Sequence, residues 1–180
     1  MTAIELLLQR QSTSFLVSPA PNTQALEQIL AAGMRVPDHG CLQPWHFKVV
    51  TDDGLQRLSD LFVASSDAQT QDLDKIAKKP FRAPMIIVIS TNYTDHEKVP
   101  LSEQLITAGC CAHAMQMAAC SLGYGAMWRT GGFAYNSQIK QGLAIAERDD
   151  IVGFLYIGTL GRPQVLKPTK AFANHVSYWT

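Results

Sequence analysis

The 180-residue chain is long enough to bury one substantial core, and with 47% hydrophobic and 17% charged residues it has an ordinary globular composition. Its 15 basic residues balance 15 acidic ones, so no general field holds it to nucleic acid or to an acidic membrane, and any anion site must be local. The long uncharged run 104–128 carries Gln104, His113, Gln116 and three glycines and is too polar to span a bilayer. At the N-terminus Glu5 comes early and Arg10 late, the reverse of a signal peptide, so a cytoplasmic protein is expected.

Residues 2–10 place Ile4, Leu7 and Leu8 on one helical face. Pro19 and Pro21 then impose an extended link, after which Asn22 caps a second helix over about 23–34, with Leu26, Ile29 and Leu30 as its buried stripe. Residues 35–45 hold two prolines and a glycine and read as loop. The alternation of 46–51 predicts a strand, and Asp52 or Asp53 caps a helix over about 55–64. Residues 65–79 are polar, with some helical character, and read as the most mobile part. The apolar run 85–90 predicts a strand buried on both faces. Residues 101–122 form the longest predicted helix, with Gly123 suited to its C′ position. Its 107–119 stretch has no formal charge and many small residues, which puts it at the centre of the domain or of a dimer. A strand at 124–130, a short helix from Asn136 or Ser137 to about Ala146, a buried strand at 151–159 and an extended tail complete the chain. Helices and strands mix without a strict βαβ repeat, so the expected class is α+β: one domain over 1–180, a central sheet covered by helices.

Three segments carry polar chemistry. Arg10-Gln11-Ser12 ends the first helix, and a guanidinium beside a hydroxyl can grip a phosphate; a basic residue at a helix C-terminus also simply complements the dipole. The stretch 35–46 crowds Arg35, Asp38, His39, Gln43, Trp45 and His46 onto a proline-stiffened loop, either a ligand wall or a turn anchored by Trp45. At 127–132 a strand ends in Trp128, Arg129, Thr130 and two glycines, which permit close backbone approach. Neither a P-loop nor the dinucleotide glycine fingerprint is present. The cysteines, 41, 110, 111 and 120, form no C-x-x-C pair and read as reduced thiols; no full metal-ligand set is evident. A hydrolase built on Cys41 with His39 or His46 stays open but lacks any specific flank.

Taken in order, R-Q-S at 10–12, G-M-R-V-P-D-H at 33–39, Q-P-W-H-F at 43–47, F-R-A-P at 81–84, K-V-P at 98–100, A-G-C at 108–110, M-Q-M-A-A at 115–119, W-R-T-G at 128–131 and I-V-G-F-L-Y-I-G-T at 151–159 resemble the nitroreductase family, in its small single-domain branch. The resemblance implies a nitroreductase-like fold with a mixed or antiparallel sheet and a C-terminal extension reaching a partner subunit. It implies FMN held at a homodimer interface and NAD(P)H as donor, with hydride passing through flavin N5 to nitroaromatics, quinones or similar small acceptors in a ping-pong scheme that needs no catalytic side chain. Carried over by position, Arg10, Gln11 and Ser12 meet the FMN phosphate and ribityl chain, and Arg35, Trp128, Arg129 and Thr130 join them. His39 reaches the cofactor of the other subunit. Ala118, Ala119, Cys120, Ser121, Leu122 and Gly123 match a stretch linked to the nicotinamide nucleotide. Two positions depart from the family: Gln11 stands where a second basic residue is common, and Cys41 where larger members carry Asn. A flavin-binding module or sensor with little turnover is the alternative reading.

Overall fold

The computed structural model describes residues 2–69, 71–168 and 170–180. Its elements in chain order are α1 (Ala3–Gln9), β1 (Leu16–Val17), α2 (Thr23–Gly33), β2 (Trp45–Thr51), α3 (Asp53–Ala64), α4 (Leu73–Ala77), β3 (Met85–Thr91), α5 (Leu101–Ser121), β4 (Gly125–Arg129), α6 (Ser137–Gly142) and β5 (Ile151–Leu160). The five strands make one sheet in which every pairing is antiparallel. β3 lies between β2 and β5, and the other edge of β5 carries β4 over Phe154–Gly158 and β1 over Thr159–Leu160.

All seven residues of β3 are buried because successive side chains enter two different cores. Ile86 and Val88, with Phe154 and Tyr156 of β5, pack under α3, α4 and α6. Ile87 and Ile89, with Leu155 and Ile157, pack under α2 and α5. The predicted unbroken apolar strands are therefore the central strands of a sheet with helices on both faces. No helix among the described residues is long and apolar enough to cross a membrane.

The caps explain most boundaries. Asn22 accepts from the Ala25 amide to start α2. α5 ends in a Schellman motif: Gly123, at φ 85°, donates to Cys120 O, and Tyr124 donates to Ala119 O. Five expectations need correction. Asp52 stands at the N-cap of α3 but its side chain makes no capping bond, and Asp53 lies inside the helix. β1 is a two-residue strand beside β5, too short to leave a periodic signal. α2 fully buries Ala25, Ile29 and Gly33, while Leu26 and Leu30 are half-buried flanks. α6 stops at Gly142 rather than near Ala146, because Ala144 takes a left-handed conformation (φ 53°) and its amide bonds Gln141 O. The apolar stretch of α5 is not buried all round: His113 and Ile106 are exposed, and Gly109 and Cys110 are half-buried.

Beyond β5 the described tail is irregular apart from a short turn at Ala173–His175, and Phe172, Tyr178 and Trp179 are exposed. It is tied back to the N-terminal region where the Gln11 Nε2 amide donates to Val165 O at 2.8 Å.

Candidate active site

The site is built along the outer edge of β4. One edge of this strand pairs with β5; on the other, the Thr13 amide donates to Ala126 O at 3.2 Å, so the segment after α1 runs against it. Arg10 caps α1, and its guanidinium donates to Ser12 Oγ at 3.3 Å. Ser12 Oγ also accepts from Gln116 Nε2 of α5, and the same amide reaches Ala126 O, both at 3.3 Å. A buried α5 glutamine thus fixes residues 10–13 to the strand that carries the second site segment. Two and three residues on, about 7 and 10 Å along an extended strand, lie Trp128 and Arg129.

Gln11 and Ser12 line a cleft of about 410 Å³ with Arg162 and Lys167. These two cations were not picked out from the sequence; G-R-P just after the last buried strand is a signal for Arg162, and Lys167 has none. Arg129 lies elsewhere: its guanidinium sits 5.5 Å from the Tyr156 ring centroid in a cleft of about 550 Å³ that also holds Trp128, Thr130, Lys79 and Arg82. Burial depresses the Arg129 pKa, nearby Arg82 adds to this, and Tyr156 opposes it. Burial also raises the Tyr156 hydroxyl, against the pull of Arg129 and Arg82.

Trp128 divides this cleft from a groove of about 590 Å³ that contains Arg35, Cys110 and His113. Its indole N–H donates to Val152 O at 3.2 Å, and its ring lies over Gly153, where a Cβ would meet the Trp128 Cδ1 at 2.6 Å and Arg129 O at 2.8 Å. Glycine is required there by close approach.

His39 is exposed and held by Glu103 of α5, Nδ1 to carboxylate 2.7 Å. It lines none of these three clefts. Residues 118–123 form the last turn and stop of α5, and they too line none of the three; their caps account for their backbone groups, and burial pushes the Cys120 thiol up while Arg10 pulls it down. Cys41 is exposed at φ 55°, and among the described residues it has no hydrogen bond to His39 or His46. That leaves the hydrolase reading without a nucleophile–base pair. No group of metal-ligating side chains occurs among the described residues.

Two side-chain atoms in this region, Gln11 Oε1 and Arg129 Nε, are buried without a hydrogen-bond partner. Such atoms are costly unless something outside the chain satisfies them. Together with Arg10, Ser12, Arg162 and Lys167, the polar set suits a ligand that has an anionic end and a polar ring, lying along β4.

Over residues 7–159 the chain matches the profile described as "Nitroreductase family". It is 44% identical over 162 residues to "Putative NAD(P)H nitroreductase YdjA" of Escherichia coli (strain K12), covering 88% of each chain. Among solved structures it is similar to the nitroreductase-like family protein from Bacillus cereus (TM-score 0.89, 20% identity, 99% of this chain and 96% of that one). It is also similar to a mutant form of the FMN and NADPH-dependent nitroreductase NfnB from Sphigopyxis sp. strain HMH (TM-score 0.77, 16% identity, 100% of both chains).

Proposed function

Since the chain belongs to the nitroreductase family, a family of oxidoreductases, we propose that it is an FMN-dependent NAD(P)H oxidoreductase that reduces nitroaromatics, quinones or related small acceptors. The observation that carries this reading is the pair of buried, unpartnered atoms, Gln11 Oε1 and Arg129 Nε, in the two clefts beside β4. When bound, FMN would supply the two-electron chemistry, hydride transfer through N5 between nicotinamide donor and acceptor in ping-pong exchange. The chain's own residues bind and orient. Arg10, Gln11 and Ser12, joined by Arg162 and Lys167, hold the phosphate and ribityl chain. Trp128, Arg129 and Thr130 border the ring, with Arg35 beyond Trp128. His39 serves the cofactor of a second subunit. The stretch 118–123 meets the nicotinamide nucleotide, and the reaction needs no proton transfer from a side chain.

A homodimer is part of the proposal. Its support is the exposed apolar surface on α5 (Leu105, Ile106), on α1 (Ile4, Leu7, Leu8) and on the C-terminal tail (Phe172, Tyr178, Trp179). The four free thiols suit a reducing, cytoplasmic compartment.

The purified protein should be yellow, or become so on loading with FMN, and should bleach under NADH or NADPH without oxygen. Protein that cannot be loaded refutes the assignment. Bound FMN with negligible steady-state reduction by either nucleotide selects the sensor alternative. Sedimentation equilibrium showing a monomer that still retains FMN would refute the dimer.

A further inference from the structure

The cleft beside β4 carries more positive charge than one cofactor phosphate explains. In the reading above that phosphate takes Arg10, Arg162 and Lys167, and the last two line a separate cleft with Gln11 and Ser12. Yet Lys79, Arg82 and Arg129 converge on the larger cleft, no Asp or Glu lines it, and none of the three forms an ion pair among the described residues. They are arranged by depth: Arg82 is exposed at the rim, while Lys79 and Arg129 are half-buried. Arg82 depresses the affinity of both neighbours for their protons, in each case second to burial, so Arg82 repels each of them, and no carboxylate lines the cleft to offset it. The walls are aromatic. Phe62 and Phe133 stack at 4.1 Å with an interplanar angle of 1°, and Lys79 Nζ lies 4.5 Å from the Phe133 centroid. Three cations at graded depth in one cleft, with no carboxylate lining it, suit a molecule that bears an oxyanion.

We propose that Lys79, Arg82 and Arg129 form an anion subsite that recognises a carboxylate or phosphate on the exchangeable substrate, which makes the protein selective for anionic over neutral reaction partners. The proposal rests on the oxidoreductase reading above and extends it to substrate class. Either partner could supply the oxyanion: an acceptor through a carboxylate, or the donor through the 2′-phosphate that separates NADPH from NADH. Lys79 and Arg82 come from the turn between α4 and β3, a segment with no assigned part in holding the cofactor.

The test uses the FMN-loaded protein with Arg82→Glu, Lys79→Gln and, as rescue, Arg82→Lys. One arm compares kcat/KM for 4-nitrobenzoate with that for neutral 4-nitrobenzamide; the other compares NADPH with NADH. Arg82→Glu should lower either the 4-nitrobenzoate-to-4-nitrobenzamide ratio or the NADPH-to-NADH ratio about tenfold, and Arg82→Lys should recover most of it; the arm that moves identifies the source of the oxyanion. Independently of turnover, 4-nitrobenzoate should quench the tryptophan fluorescence of the wild type at lower concentration than that of Arg82→Glu, since Trp128 lines the cleft. Ratios and quenching that stay put in all variants overturn the subsite. So does weakened FMN retention in Arg82→Glu with both ratios unchanged, because the cations then serve the cofactor. If the wild type takes up no FMN, the oxidoreductase reading has failed, and the quenching titration still reads the subsite.

Discussion

Gly153 is the position where a single added methyl group has the clearest consequence. A Cβ there would lie 2.8 Å from Arg129 O and 2.6 Å from Trp128 Cδ1, and closer still to Trp128 Nε1. The indole could swing away, but only by giving up its bond to Val152 O. The carbonyl belongs to the β4–β5 ladder, where Arg129 pairs with Phe154, and cannot move without opening that register. Overpacking of this kind costs about 1–3 kcal/mol, and the loss of one hydrogen bond adds about 1 kcal/mol. Gly153→Ala should therefore lose roughly 2–4 kcal/mol, a fall in Tm of about 5–15 °C for a domain of this size. It should also weaken FMN binding, because Trp128 and Arg129 are displaced together. Gly132→Ala is the control: a Cβ there meets nothing within 4 Å, so its stability should stay within about 0.5 kcal/mol of wild type. In a double-mutant cycle with Trp128→Ala, relief of the indole clash should appear as coupling, while the Arg129 carbonyl keeps part of the cost. Urea midpoints and FMN fluorescence titrations read both effects. A Gly153→Ala protein with wild-type midpoint and FMN affinity would refute the reasoning.

The remaining predictions concern charge and protonation. Gln11→Arg should tighten FMN binding about three- to fivefold at low salt and less at high salt, as a surface-exposed charge contact worth about 1 kcal/mol requires; an unchanged Kd speaks against a phosphate beside residue 11. Cys41 is exposed, whereas burial, reinforced by Cys110, pushes the Cys111 thiol up to about 12; a disulfide reagent at pH 8 should label Cys41 rapidly and Cys111 only on unfolding, and equal rates contradict this. Burial, then the hydrogen bond to Asp150, pushes the Tyr93 hydroxyl up to about 12. Its folded pKa thus lies above the unfolded value near 10, so the folded state holds the proton more tightly; its stabilising effect is complete below pH 10 and is lost as pH rises through 12. Denaturation midpoints should fall over that range, and less steeply in Tyr93→Phe; identical slopes argue against it.

The sequence revealed those parts of the fold whose signals are local. The caps Asn22 and Gly123 and the runs 85–90 and 151–159 mark element ends and central strands directly, because capping and two-sided burial act on neighbouring residues. β1 was invisible because two residues make no period and its only reason for being a strand is the far end of β5. Of the site, the three polar segments were readable as segments, but their grouping was not. The resemblance brings Arg10 and Arg129 to one cofactor, yet they lie in different surroundings, and Arg162 and Lys167 stand with Gln11 and Ser12. Lys79 carries no motif, and F-R-A-P at 81–84 does not mark Arg82 as a site residue; only the return of the chain into β3 brings the two beside β4. Gln116 looked like one more polar interruption in a small-residue helix, and in the fold it fastens Ser12 to Ala126.

The alternation of β3 and β5 between two cores has a consequence for how this protein can change. Ile87 and Val88 are adjacent in the chain, but one belongs to the layer under α5 and the other to the layer under α3. Side chains on opposite faces of a sheet share few contacts, so losses from trimming the two layers should simply sum, whereas losses within a layer should not. The α5 layer abuts the exposed apolar surface, and the α3 layer floors the cationic cleft. Substitutions in one layer can therefore reshape the apolar surface while leaving the floor of the cleft as it is, although the two layers are written in alternate letters of the same strands.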